Sequence, residues 1–555
     1  MINRAESATS QGDIAMQADN ARSLFNVEGR GIAIAVISDS YDRDSTKTTA
    51  ENDILTGDLP GFGNPHGYGT PVNVLREGRL DRAKDEGRAM LQIVHDIAPA
   101  AELMFHGVSS PEDMAEAIAT LTEAGADIIV DDVGFVNEPF FQDGIVARSV
   151  DRAAATGVVY VSAAGNDGDR SYEDEFRNSG RTFTLDGIPY IAHDFDSGPG
   201  VDVFNRFRLN PDADLGMLSF QWDEPFGDAA GDLDIFIVTD DNLNTLSGDD
   251  VAAASTDDNI GANPLELLSF TNSTDSENFH ILIGKRLDSG SEPERIKYIN
   301  FGGSGREFEY GHDAATLFGH PNAEGAIAVG ALSYHNTPEF GNSTPRVRSS
   351  SSVGGIPIYL DPLGDRLPSP EIRQKPDVVA PDGINTTFFG TDSILDDDSF
   401  PNFQGTSAAA PHVAGVAALL LEAAGGSGSL TPGEVRQILQ NTASDVETEG
   451  WDNWGGAGLI QADVALEGLE SGLIDSLTGE LTPETASISP APLADIPIEG
   501  SAESDRLLRE ADLLPSELSA DLISGEAARF IRPELLEVPE IAGLSDMGHE
   551  DAIFG

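Results

Sequence analysis

Residues Gly31–Ile37 read GIAIAVI, a run without a charge that ends on Ser38-Asp39-Ser40. Successive side chains of a strand point to opposite faces, so an unbroken apolar run fits a strand covered on both sides. That is the situation of a parallel strand between helix layers. The rhythm continues down the chain. A Gly- and Pro-rich loop runs from Leu55 to Pro71, followed by a predicted helix over Asp85–Ile97, a strand over Ala101–Phe105 and a helix over Pro111–Ala124. A strand over Asp127–Val130, a helix over Asp143–Ala155 and a strand over Val158–Ala163 complete the series. Alternating strands and helices predict an α/β fold with a doubly wound, mostly parallel sheet.

The rhythm breaks near Asn166. From 170 to 310 the apolar runs are short and alternating, as in Met217–Trp222, Leu233–Val238, Leu265–Phe270 and His280–Ile283, with turns between them. This predicts an inserted all-β sandwich domain. The α/β pattern resumes at Ala326–Ala331 and Asp377–Ala380 and ends with helices over Ser407–Ala424 and Pro432–Thr442. The expected organisation is a polar lead-in over 1–28 with one short helix near Ile14–Leu24, a split α/β domain over 29–169 and 311–468, the insertion over 170–310, and a tail over 469–555. Residues 471–555 carry 18 acidic residues, four Arg and seven Pro, a composition expected to be acidic and weakly structured.

The 555-residue chain has 95 acidic against 32 basic residues, a net charge of −63. Such a surface repels nucleic-acid phosphate and anionic membrane, so neither is an expected partner. Only five of the basic residues are Lys. An acidic, Lys-poor surface stays soluble in strong salt, which screens its self-repulsion; it is read as pointing to a salt-loving source, or as an acidic protein of an ordinary marine or soil organism. With no Cys, disulfides and thiolate chemistry are excluded. No apolar run approaches 18 residues, so membrane insertion is not expected. Met1–Val27 lacks the basic start and apolar stretch of a secretory signal.

The most specific segment is Gly405-Thr406-Ser407-Ala408-Ala409-Ala410-Pro411-His412-Val413-Ala414-Gly415. A Ser opens an apolar helix after a Gly-Thr turn, where the helix dipole and free backbone N–H groups favour a developing oxyanion. The string resembles the active-serine motif of the subtilisin-like serine peptidases, the subtilases. The resemblance extends in that family's order. Val36-Ile37-Ser38-Asp39-Ser40 resembles the strand end bearing the catalytic Asp, and Ser162-Ala163-Ala164-Gly165-Asn166 the segment whose Asn completes the oxyanion hole. Lys375–Pro381 resembles the strand leading to the serine loop, and Gly456–Ile460 the stretch closing the domain. The resemblance implies a serine endopeptidase acting on protein or peptide substrates through an acyl-enzyme on Ser407. It also implies Asp39 in the catalytic group, Asn166 at the oxyanion, no required cofactor, a monomer and an extracellular setting.

One departure is serious. Where a subtilase has His-Gly-Thr-His, this chain has Asp85-Glu86-Gly87-Arg88, and Glu86 falls at the catalytic His position. Sedolisins, which share the fold, use a Glu there, but their second helical acid would fall at Met90. Glu86, Met90, Ile93 and Ile97 share one helix face, so Glu86 is expected at the edge of a buried stripe, with a raised pKa suited to a general base. A first-turn Glu also suits the helix dipole without any catalytic role. His95 lies about 180° around the helix and faces away. His66 opens no helix, and His412 reads as structural.

Asp131-Asp132 follow a strand; Asp132 is read as a solvated acid, or as a cleft acid that couples to Glu86 or prefers basic substrate side chains. In the insertion, Trp222-Asp223 and Gly231–Ile235 resemble β-sandwich modules appended to bacterial peptidases. Asp232 and Asp234 are read either as exposed acids alternating with core residues or as oxygen ligands for calcium. Two other readings stand beside the peptidase: a catalytically weak or inactive homologue that binds peptides, and hydrolysis of a different acyl bond.

The charge of −63 should make the folded state less stable at low ionic strength. Unfolding midpoints, followed by circular dichroism from millimolar to molar salt, are expected to rise. A flat or falling series would remove the argument for a salt-loving source.

Overall fold

The computed structural model describes residues 7–471 apart from 81, 82, 312 and 395; most of the expected acidic tail, from 472 on, lies outside them. Seven strands form one sheet in the spatial order 378–382, 326–333, 159–163, 128–131, 33–38, 102–107, 73–76. Every neighbouring pair is parallel. Starting from 33–38, the chain first builds toward one edge and then crosses to the other, so the switch of direction lies beside this central strand. In open α/β sheets, ligand sites form outside the carboxyl ends of strands at such a switch.

Alternation along each strand sorts the core into two layers. Ile34, Val36, Ile128 and Val130 pack with helices Glu86–Ile97 and Thr406–Ala424. Ala35, Ile37 and Ile129 pack with helices Pro111–Glu123 and Ile145–Ala155 on the opposite face. Ser110 caps the first of these by accepting from Asp113 N, and Pro111 sits at the first helical position, where a missing N–H costs nothing. Thr406–Ala424 is long and apolar enough to cross a membrane by length and composition, although its Thr, Ser, Pro, His, Gly and Glu residues interrupt any continuous apolar run. Most of it is buried in the protein, which is how a helix apolar on all sides reads when it forms a core.

Between 171 and 301 lie ten strands and one short 3₁₀ turn. They form two antiparallel sheets. One has the order 265–271, 214–222, 295–301, 171–175; the other runs 251–255, 233–238, 278–286, 188–193, 178–185, with 205–208 also paired to 278–286. Phe207, Phe220, Trp222, Ile235 and Tyr298 fill the space between them.

Several elements differ from the sequence reading. The lead-in forms two helices, Gln11–Ala15 and Ala18–Phe25, because Gln17 between them takes a left-handed conformation. It is seated on the serine helix: Ser10 Oγ meets His412 Nε2 at 2.8 Å, and a Cβ on Gly12 would lie 2.0 Å from that nitrogen. The loop expected from Leu55 begins only after a helix, Ala50–Thr56, opened by a Thr49–Asn52 capping box, and is followed by the edge strand Asn73–Arg76.

Arg88 is wholly buried on the helix that carries Glu86. It pairs with Asp53 and Asp85, donates to Tyr41 O at 2.8 Å and Thr48 O at 2.6 Å, and stacks over Phe388. Removing one side of a buried ion pair strands the other, at about 3–5 kcal/mol. Arg88→Met should therefore lower the stability of the parallel-sheet domain by about that amount in urea unfolding. A loss below about 1 kcal/mol, the scale of a surface pair, would mean the network is not supporting the fold.

Candidate active site

Asp39, Asp132 and Asn166 all sit just past the carboxyl ends of neighbouring parallel strands, 33–38, 128–131 and 159–163. Register explains the convergence: Ile37 lies opposite Asp131, and Asp131 opposite Ser162. The helix Glu86–Ile97 begins over the same sheet end. Gly87 lets it come close, since a Cβ there would meet the Phe105 ring at 2.3 Å and Ser40 O at 3.0 Å.

Asp39 is committed to backbone. Its carboxylate accepts from Ser40 N at 2.5 Å, Lys84 N at 2.6 Å and Glu86 N at 2.9 Å. It thus caps the helix that carries Glu86, in place of Asp85, whose side chain makes no cap bond and whose backbone is left-handed. Burial raises the Asp39 pKa, and the amide hydrogen bonds oppose that rise.

Glu86 is 7% exposed, and its Oε1 is buried with no hydrogen-bond partner. Burial first, then the negative charge of Asp39, pushes its pKa up to about 7, while the charge of Lys84, and after it hydrogen bonding to Ser407 and to Asp132, pulls it down. Asp132 is raised well above the usual carboxylate range, by burial and by the charge of Glu86. Two carboxyls so placed titrate as a pair.

Ser407 is the second residue of helix Thr406–Ala424, where a backbone N–H has no intrahelical acceptor. Asn166 is tied to the same turn: its Oδ1 accepts from Thr406 N at 3.0 Å. That fixes the carboxamide with Nδ2 as its remaining donor. The site therefore gathers a hydroxyl at a helix start, a buried carboxylate and a carboxamide tied to the same turn.

The three histidines weighed in the sequence lie elsewhere. His95 is buried edge-on to Tyr68, and burial with the nearby His66 lowers its pKa to about 4. His66 neighbours His95 rather than the site. His412 is neutral between Ala408 O and Ser10, its pKa lowered by burial to about 4. Sequence reasoning missed His320. It is buried between Asp131 (3.0 Å) and Glu138 (2.8 Å); burial opposes its charge, but Glu138 and Asp131 outweigh that and raise its pKa to about 10. The imidazolium so held anchors the strand end that presents Asp132. No motif surrounds His320 in the sequence, and its partners lie some 180 positions away.

In the insertion, Asp232 and Asp234 are buried, at 0% and 1% exposure. This corrects the reading of them as exposed acids. Each has a specific polar partner, Arg286 for Asp232 and Tyr190 for Asp234.

A family model described as the subtilase family matches residues 307–458. Over 70 residues the chain is 44% identical to fervidolysin of Fervidobacterium pennivorans, covering 13% of this chain and 10% of that one. Over 167 residues it is 31% identical to the serine protease AprX of Bacillus subtilis (strain 168), covering 28% and 33%. The matched stretches span a tenth to a third of these relatives' length. The solved CspB protease of Clostridium perfringens is similar over 83% of this chain and 99% of that one, with a TM-score of 0.53 at 14% identity, a likeness that shows the fold.

Because Asp39 contributes a negative charge to the rise at Glu86, Asp39→Asn should lower the Glu86 midpoint. Infrared difference spectroscopy of the protonated carboxyl band, titrated in wild type and variant, reads this directly. An unchanged or higher midpoint would show that burial alone sets it.

Proposed function

We propose that this protein is a serine peptidase that cleaves peptide bonds with Ser407 as nucleophile and Glu86 as general base. The observation that carries the reading is the pairing of Ser407, at the first turn of its helix, with a buried carboxylate whose pKa is raised to about 7. An ordinary Glu, near 4.3, is a poor base at neutral pH; this one is matched to the task. The subtilase match over 307–458 and the serine protease relatives support the same reaction class and a protein or peptide substrate.

In this mechanism Ser407 Oγ attacks the substrate carbonyl as its proton passes to Glu86. The oxyanion that forms is held by the Ser407 N–H and Asn166 Nδ2. Glu86 then gives the proton to the leaving amine; water, deprotonated by Glu86, attacks the acyl group and releases it from Ser407, whose oxygen takes that proton back from Glu86. Asp132 carries the proton that the pair shares, donating to the ionised Glu86 and holding it toward Ser407. Asp39 positions Glu86 through the backbone of its helix.

Ser407→Ala should abolish hydrolysis of a denatured protein, and wild type should label rapidly with a fluorophosphonate. Glu86→Gln should lose about 10²–10⁴-fold in rate, the scale of a positioned base. In wild type kcat/KM should rise with pH through about 7, as Glu86 ionises, and this limb should move or vanish in Glu86→Gln. His66→Ala and His95→Ala should stay active. Slow labelling with no hydrolysis would favour an inactive peptide-binding homologue, and a dead histidine variant beside an active Glu86→Gln would assign the base to histidine.

A further inference from the structure

We propose that the inserted sheet pair holds a calcium ion on Asp232, Asp234 and Asn259. Three oxygens carry the inference. Asp232 Oδ1, Asp234 Oδ1 and Asn259 Oδ1 are each buried with no hydrogen-bond partner, on residues that are 0%, 1% and 3% exposed. A buried oxygen without a partner costs free energy, and three in one neighbourhood call for a common ligand.

The rest of each side chain is already anchored. Asp232 Oδ2 accepts from Arg286 at 2.9 Å, and Asp234 Oδ2 accepts from the Tyr190 hydroxyl. Asn259 Nδ2 donates to Asn263 O at 3.0 Å and Leu265 O at 3.1 Å, which leaves its carbonyl end as the acceptor. So one oxygen of each residue is fixed in place and unspent. Asp232 and Asp234 belong to the strand Leu233–Val238 and its entry, and Asn259 to the loop following Val251–Ser255, the strand's neighbour in the sheet.

The charge balance points the same way. Beside the two aspartates lies Glu266, also fully buried, with both oxygens taken by Ser255 and Asp257 N. Asp257 and Asp258 add negative charge at the exposed rim. Arg286 and Lys285 are the cations near the group, and Arg286 also serves Asp288. Left alone, the cluster buries more negative charge than these cations balance. A hard divalent cation neutralises it, and a donor set of oxygens only suits calcium. Among the described residues no three His, Cys, Asp or Glu are arranged around one point to hold a metal ion. The site argued here has two carboxylates and a carboxamide, with backbone oxygens and water left to complete the shell.

The test uses the full chain, freed of metal with a chelator and titrated with calcium alone. The wild type should bind one more calcium than Asp234→Asn by calorimetry. Terbium bound in its place should emit when tyrosine is excited, through Tyr190, and calcium should quench that emission. With calcium at about 1 mM, a level that fills weak extracellular-type sites, the unfolding temperature of wild type should rise and that of Asp234→Asn should not. Equal calcium responses in the two proteins would overturn the site. So would a wild type whose unfolding temperature is indifferent to calcium. If Asp234→Asn does not fold, absence of tyrosine-excited terbium emission from wild type overturns it equally.

Discussion

The Asp39 carboxylate gripping the amides of Ser40, Lys84 and Glu86 is the contact on which the site rests. It joins the end of the central strand to the start of the helix that carries Glu86. A hydrogen bond to a charged group is worth roughly 1.5–3 kcal/mol, so several converging on one carboxylate fix a backbone firmly. The same charge lies close enough to Glu86 to raise its pKa. One group thus sets both where the neighbouring carboxylate stands and how strongly it holds a proton.

That arrangement has a cost in stability. Glu86 and Asp132 are raised chiefly by burial, so ionising either opposes folding as pH increases through its titration. Nearby elements supply compensation. Arg88 is buried with two aspartates one residue beyond Gly87, and the His320 imidazolium lies between Asp131 and Glu138, beside Asp132. Cations locked in ion pairs stiffen the ground around the two carboxyls without neutralising them. An apolar replacement would pack as well and would leave Asp53, Asp85 or Asp131 stranded.

Much of the fold could be read from the chain because burial on two faces writes itself as continuous apolar runs. Gly31–Ile37, Asp127–Val130 and Val158–Ala163 each fall within a residue or two of an observed strand. Ser407 and Asn166 could be singled out because a helix start and a turn impose local sequence. What escaped was set by distance in the chain. His320 meets Asp131 and Glu138 across some 180 residues, and no local pattern encodes such a meeting. Asp232 and Asp234 alternate with Leu233 and Ile235 as exposed acids would, yet both faces of that strand are covered. The short helix Ala50–Thr56 is only seven residues long, too few for periodicity to register.

The adjacent strands 159–163 and 326–333 are separated by the whole inserted sheet pair. During synthesis the earlier strand emerges with one neighbour, 128–131, already made and the other more than 160 residues away. At about 5–20 residues per second, its second edge stays open for roughly 8 to 30 seconds. An apolar strand with an open edge is the kind of surface that pairs with other chains. The strands of the two inserted sheets pair only among themselves, so forming those pairs draws the two ends of the gap together. Birth order therefore makes the insertion a timer for closure of the sheet, and its folding speed decides how long the nascent chain is vulnerable.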